Sequence, residues 1–61
     1  MKAAQTLTIS EIRSLLYYSN AYAVIGADEM TNDEARRFLF DMPDQDTTMR
    51  VIENGDHLLI Y

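Results

Sequence analysis

Two stretches of the chain place apolar residues at helical spacing. In the first, a stripe with the helical period of about 3.6 residues predicts a helix from about 9 to 25. The stripe consists of Ile9, Ile12, Leu16 and Ala23. Gly26 is the predicted left-handed end of this helix, and Ser19-Asn20 is a weak point where it could break. The second stretch predicts a helix of about ten residues, 32 to 41, which Pro43 ends because proline disfavours helical geometry in the residue before it.

Each predicted helix begins with the same signature, a threonine followed three residues later by a glutamate. Thr8 and Glu11 form the first pair, and Thr31 and Glu34 form the second. In such a capping box the threonine hydroxyl accepts a hydrogen bond from the backbone N–H of the glutamate, whose carboxylate accepts one from the N–H of the threonine. The boxes predict where both helices start. We expect no internal repeat, low-complexity tract or linker in the chain.

Near the C-terminus the hydrophobic period changes to two residues, which is typical of strands. Asn54-Gly55 is a strong hairpin signal, because both residues tolerate the positive φ of a type I′ turn. Pairing outward from this turn places Val51 opposite Leu58 and Met49 opposite Ile60, with all four side chains on one face. The other face then carries Arg50, Ile52, His57, Leu59 and Tyr61.

These elements predict an α+β fold, with a two-helix hairpin followed by a C-terminal β-hairpin (α-α-β-β), in one small acidic domain of residues 1–61. The helices can cover one face of the β-hairpin. The other face is half apolar, and a lone two-stranded hairpin is marginal in water. We therefore expect either a short N-terminal strand from residues 2–7 or pairing with another chain, and we favour a homodimer or an obligate partner. The predicted self-association residues are Ile52, Leu59 and Tyr61.

Charge and composition narrow the classes of function. The net charge of −5, from five basic and ten acidic side chains, disfavours direct binding of nucleic acid or of an anionic membrane surface. No segment approaches the roughly 18 apolar residues of a membrane span, and the N-terminus lacks the apolar region of a secretory signal. We therefore expect a cytoplasmic protein, in a host cytoplasm if a phage encodes it. The absence of cysteine excludes disulfides and thiolate zinc sites.

No pattern in the sequence indicates catalysis. His57 is the single histidine, and the side chain of the neighbouring Asp56 points to the opposite face of the predicted strand. The acidic stretch 41–46 lacks the ligand spacing of a calcium loop, and Pro43 stiffens it. The sequence holds no glycine-rich phosphate loop and no nucleophile or zinc-ligand motif. We therefore predict a non-enzymatic protein without a metal or cofactor.

Carboxylates and tyrosines are the remaining candidates for a functional surface. Seven carboxylates between residues 28 and 46 cluster at both ends of the second predicted helix. They are Asp28, Glu29, Asp33, Glu34, Asp41, Asp44 and Asp46. Such a run is often only a solvated surface, but an acidic surface can also steer a chain toward a basic protein. Tyr17 and Tyr18, together with Arg13, form a second candidate patch, unless the tyrosines pack under the hairpin.

We therefore predict that the chain binds a protein partner through that partner's basic surface, such as the surface of a nucleic-acid-processing factor, and inhibits or modulates it. Compact acidic chains with such roles are common among accessory proteins of phages and plasmids. This comparison rests on size and charge alone. The alternative is a structural or assembly protein that self-associates through its C-terminal β-hairpin.

Overall fold

The computed structural model describes residues 3–61, and these form a mixed α+β fold of two helices and one five-stranded sheet. The elements in chain order are β1 (Gln5–Thr8), α1 (Ile9–Tyr17), β2 (Tyr22–Ile25), β3 (Asp28–Met30), α2 (Asn32–Phe40), β4 (Thr48–Asn54) and β5 (His57–Ile60). The strand order across the sheet is β1-β4-β5-β2-β3. Strands β2 and β5 run parallel, and the other neighbouring strands run antiparallel.

The predicted α-α-β-β layout is wrong, because β2 and β3 lie between the helices and α1 ends at Tyr17 instead of near residue 25. The chain leaves the helix at the predicted weak point, where the Ser19 hydroxyl accepts a hydrogen bond from the N–H of Ala21 at 3.1 Å. The segment Tyr22–Ile25 is rich in aromatic and β-branched residues and forms β2 instead. β1 supplies the N-terminal strand that the sequence allowed, although residue 2 of that prediction lies outside the described residues.

The pairing of β4 with β5 differs from the predicted register by two residues. Val51 lies opposite Ile60 instead of Leu58. The turn begins at Gly55, which takes a positive φ of 61°, while Asn54 remains in β4. Because side chains alternate along a strand, a shift of two residues keeps each side chain on its predicted face. The residues predicted to face the core are therefore on that face despite the wrong register.

Both helices pack on one face of the sheet and run antiparallel to each other. Their apolar stripes meet the side chains of β2, β4 and β5 in a single core. The buried residues are Ile9, Ile12, Leu16, Ala23, Ala35, Leu39, Val51, Leu58 and Ile60. Both predicted capping boxes are present, so each helix begins directly after its threonine. Neither helix in the described part of the chain is long and apolar enough to cross a membrane.

A repeat relates the two halves of the molecule, in contrast to the expectation of a chain without repeats. The pattern Thr-x-x-Glu-x-Arg-x-x-Leu, followed by an aromatic residue, occurs at 8–17 and again at 31–40. In this repeat β1-α1-β2 corresponds to β3-α2-β4. Exchanging β1 with β3 and β2 with β4 gives the same strand order, read from the opposite edge of the sheet. The two halves are therefore related by an approximate two-fold symmetry, with β5 at the centre of the sheet.

Candidate functional site

A groove with a volume of about 700 Å³ lies between the two helices. We call it the arginine groove. Arg13, Ser14 and Tyr17 line it from α1, and the residues at the same positions of the repeat, Arg36, Arg37 and Phe40, line it from α2. The approximate symmetry of the fold therefore builds this groove from two equivalent walls.

Each arginine of the repeat lies over an aromatic ring of the other helix. The guanidinium carbon of Arg13 is 4.8 Å from the centre of the Phe40 ring, and that of Arg36 is 5.7 Å from the centre of the Tyr17 ring. The antiparallel helices bring the aromatic end of each pattern beside the arginine in the middle of the other. Such cation–π contacts hold a guanidinium group against the wall of a groove.

An asparagine positions Arg36 and caps α1. The side-chain nitrogen of Asn32 donates to the carbonyl oxygens of Leu16, Ser19 and Ala21 at 2.9, 2.9 and 3.1 Å. Its oxygen accepts from Nε of Arg36 at 2.7 Å. This single side chain therefore ties the last turn of α1 and the loop that follows it to α2, and it orients the guanidinium group of Arg36.

Gln45 has the same role at the other end of the groove. Its side-chain nitrogen donates to the carbonyl oxygen of Leu39, in the last turn of α2, at 2.9 Å and to that of Met42, just beyond the helix, at 2.7 Å. Its oxygen accepts from a terminal nitrogen of Arg13 at 2.7 Å. Both repeat arginines are therefore held by an amide that is itself anchored to backbone.

The arginine groove is positively charged although the chain is acidic. Arg13, Arg36 and Arg37 line it, and among its described lining residues Asp33 is the only acidic one. Asp33 is ion-paired with Arg36. Arg37 has no hydrogen-bond or ion-pair partner within residues 3–61, so its guanidinium group is available to a ligand.

The carboxylates of the predicted partner-binding surface lie in separate places. Asp33 and Glu34 are in the first turn of α2, and α2 separates them by roughly 13 Å from the acidic residues at its other end. The residues at that other end are Asp41, Asp44 and Asp46. Asp28 and Glu29 lie on the edge strand β3. The fold therefore places carboxylates at both ends of the arginine groove and along one sheet edge.

The two predicted tyrosines lie together at the end of α1. Their rings pack edge to face with 5.2 Å between centres, and Tyr17 and Tyr18 are 69% and 86% exposed. The alternative in which they pack under the hairpin is therefore wrong. Tyr17 contacts the guanidinium group of Arg36, which also pairs with Asp33, so the tyrosines adjoin the acidic first turn of α2.

The predicted self-association residues meet on the face of the sheet opposite the helices, here called the open face. Ile52, Leu59 and Val24 lie side by side on β4, β5 and β2, and all three are half-buried. Tyr22 and Tyr61 flank them and are 48% and 50% exposed. In the described part of the chain no helix covers this apolar centre.

Among the described residues, Glu29 and Arg50 place charges at the borders of the open face. Oε2 of Glu29, on the edge strand β3, lies 2.9 Å from Nε2 of His57, whose ring stacks on Tyr22 with 5.5 Å between centres. On β4, the guanidinium carbon of Arg50 lies 5.1 Å from the centre of the Tyr61 ring. His57 therefore belongs to this surface, and its carboxylate neighbour is Glu29.

The glutamates of the capping boxes are the groups whose acidity the fold changes most clearly. Hydrogen bonds from Thr8 lower the pKa of Glu11 below its ordinary value. The bond from the backbone N–H has the larger effect, and the bond from the hydroxyl has the smaller one. Thr31 lowers the pKa of Glu34 in the same way. Both carboxylates are held at helix starts, so their ionisation is linked to helix stability.

Neither a metal cluster nor a known relative identifies the site. Within residues 3–61, no group of three or more histidine, aspartate or glutamate side chains is arranged to hold a metal ion. No protein-family model, curated protein or solved structure matches the chain. The chemistry of its own surfaces is therefore the basis for assigning a function.

Several residues of the arginine groove are not among those predicted from the sequence to form a functional surface. They are Asn32, Arg36, Arg37 and Phe40. The signal that locates Arg36 and Phe40 is the repeated pattern, which gives them the positions of Arg13 and Tyr17. No comparable signal marks the amide side chains, because their partners are backbone carbonyls distant in sequence.

Proposed function

We propose that this chain is a non-enzymatic protein that acts by binding protein chains, in the first place a second copy of itself. The observation that carries the proposal is the open face. Ile52, Leu59 and Val24 form an apolar centre with exposed tyrosines beside it, and aromatic residues of this kind are favoured at protein interfaces. An apolar patch bordered by polar residues on an uncovered sheet face is typical of an interaction site.

The charge of the open face favours a second copy as the occupant. Two chains of net charge −5 repel each other across most of their surfaces. The open face, however, carries the cation of Arg50 on one side of its apolar centre and the anion of Glu29 on the other. Such a face can be complementary to itself in a two-fold symmetric dimer, because each copy offers both the cation of Arg50 and the anion of Glu29.

Sedimentation of a charge variant tests this proposal. Leu59→Lys places a cation in the apolar centre, and Phe38→Lys makes the same charge change on an exposed residue of α2. We expect the unmodified chain and Phe38→Lys to sediment as dimers at micromolar concentration and Leu59→Lys to sediment as a folded monomer. A monomeric unmodified chain, or equal dissociation of both variants, would contradict the proposal.

A second candidate function is binding to the basic surface of another protein, with inhibition or modulation of that partner. The observation that favours it is the contact chain at the end of α1, where exposed Tyr17 and Tyr18 adjoin Asp33 through Arg36. We propose the cytoplasm as the compartment for both functions, or a host cytoplasm if a phage encodes the chain.

Affinity capture at low and high salt tests the second candidate. The tagged chain should retain a partner at low salt and release it at high salt, since complementary charges are screened. Tyr18→Ser should weaken the capture, whereas Phe38→Ser, at another exposed aromatic position, should not. Capture that is insensitive to both salt and Tyr18→Ser would contradict an electrostatic partner site here.

A further inference from the structure

We infer that the arginine groove binds a small phosphorylated organic ligand of about nucleotide size. This inference is independent of the proposed self-association, because the groove lies between the helices, on the opposite side of the sheet from the open face. It starts from three guanidinium groups, those of Arg13, Arg36 and Arg37, gathered in a chain that has only five basic residues.

The guanidinium groups are held in place and still have hydrogen-bond donors to offer. A guanidinium group carries five N–H donors, and Arg13 uses one of them on Gln45. Arg36 uses one on Asn32 and one on Asp33. Planar, fixed donors of this kind match the oxygens of a phosphate group, and prior positioning reduces the entropy lost on binding.

The walls of the groove suit the organic part of the ligand. The rings of Tyr17 and Phe40 are 69% and 61% exposed and offer flat apolar surface beside the cations. The hydroxyls of Ser10 and Ser14 lie on the same wall as Arg13. A volume of about 700 Å³ falls within the range of roughly 300–1,000 Å³ that is usual for small-molecule sites.

The surrounding carboxylates exclude a long polyanion. Asp33 lies at one end of α2, and Asp41 and Asp46 lie at its other end. A nucleic-acid strand that extended beyond the groove would bring its phosphates against these carboxylates, and like charges repel. The positive potential is therefore confined to the length of the groove, which favours a small ligand.

Calorimetric titration of the full chain in low-salt buffer tests this inference. The probes are ADP, pyrophosphate and adenosine, which separate the phosphate from the organic part. We expect saturable one-to-one binding of ADP, weaker binding of pyrophosphate, which lacks the organic part, and still weaker binding of adenosine. Absence of saturable ADP binding at millimolar concentration, or equal affinity for ADP and adenosine, would overturn the inference. Tighter binding of a single-stranded oligonucleotide than of ADP would overturn the assignment to a small ligand.

Matched arginine variants locate the binding. Arg37→Gln removes a guanidinium group that has no partner within residues 3–61, so it should weaken ADP binding at least about tenfold with little effect on folding. Arg13→Gln should weaken binding by a similar factor. Arg50→Gln makes the same charge change on the open face and should leave ADP affinity within about twofold. Equal losses in Arg37→Gln and Arg50→Gln would show a nonspecific charge effect and overturn the site.

Discussion

Replacing Asn32 by alanine should destabilise the fold, because it removes the side chain that joins the start of α2 to the end of α1 and the loop after it. Asn32 shares two N–H donors among three carbonyl oxygens, in the last turn of α1 and in the loop after it, and accepts a short hydrogen bond from Arg36. A net hydrogen bond contributes about 0.5–1.5 kcal/mol, and one to a charged group contributes about 1.5–3 kcal/mol. Because the side chain is only half-buried, we expect a loss of about 2–3 kcal/mol.

That loss is large for so short a chain. At roughly 0.05–0.15 kcal/mol per residue, a domain of 61 residues has a total stability of about 3–9 kcal/mol. The melting temperature should fall by about 10–20 °C, since each kcal/mol corresponds to about 4–8 °C in a small domain.

The assay is urea and thermal unfolding followed by circular dichroism. Asn20→Ala is the matched control, because the Asn20 side chain is exposed and has no hydrogen-bond partner in the described part of the chain. We expect this control to stay within about 0.5 kcal/mol of the unmodified chain. Similar stabilities for Asn32→Ala and Asn20→Ala would refute the role given to Asn32 as the cap of α1.

Two further changes test the helix start and the core. Thr31→Ala should raise the pKa of Glu34, followed by carboxyl NMR, part of the way toward its ordinary value, because the hydroxyl is lost while the backbone N–H of residue 31, the larger cause, remains. Because the folded state lowers this pKa, the stability gained from Glu34 is present above the ordinary value and is lost as the pH falls through the lowered one. An unchanged pKa in Thr31→Ala would contradict the part given to the Thr31 hydroxyl in lowering it. Leu39→Ala should cost about 2–5 kcal/mol in denaturant unfolding, because Leu39 is fully buried, whereas Phe38→Ala should cost less than about 1 kcal/mol. Equal costs for these two substitutions would contradict the placement of the core.

Local signals in the sequence located the helix starts and the buried faces of the last two strands. The capping boxes act through residues three apart, so their geometry is readable from sequence. The alternation of apolar and polar residues in β4 and β5 likewise predicts which of their side chains are buried. It could not decide the register, because a shift of two residues leaves the alternation unchanged and Gly55, rather than Asn54, takes the positive φ.

Non-local pairing explains why the sequence pattern does not predict the five-stranded sheet. The apolar residue Ala23 fits the stripe of a longer helix as well as a buried strand position, and β2 is decided by its parallel pairing with β5, far along the chain. β3 is three residues long and two of them are acidic, a composition that predicts a solvated turn and not a strand. Arg13 and Arg36 of the groove follow from the repeat, whereas Asn32 and Gln45 act on backbone carbonyls that only the folded chain brings within reach.

Self-association through the open face is the central claim, and an NMR dilution series tests it most directly. Amide shifts would be followed from millimolar to low micromolar protein. We predict that the signals of Val24, Ile52 and Leu59 move with concentration, while those of Ser14 and Arg37 in the arginine groove stay fixed. Shifts that stay constant for all five residues, or that move only in the helices, would contradict the claim.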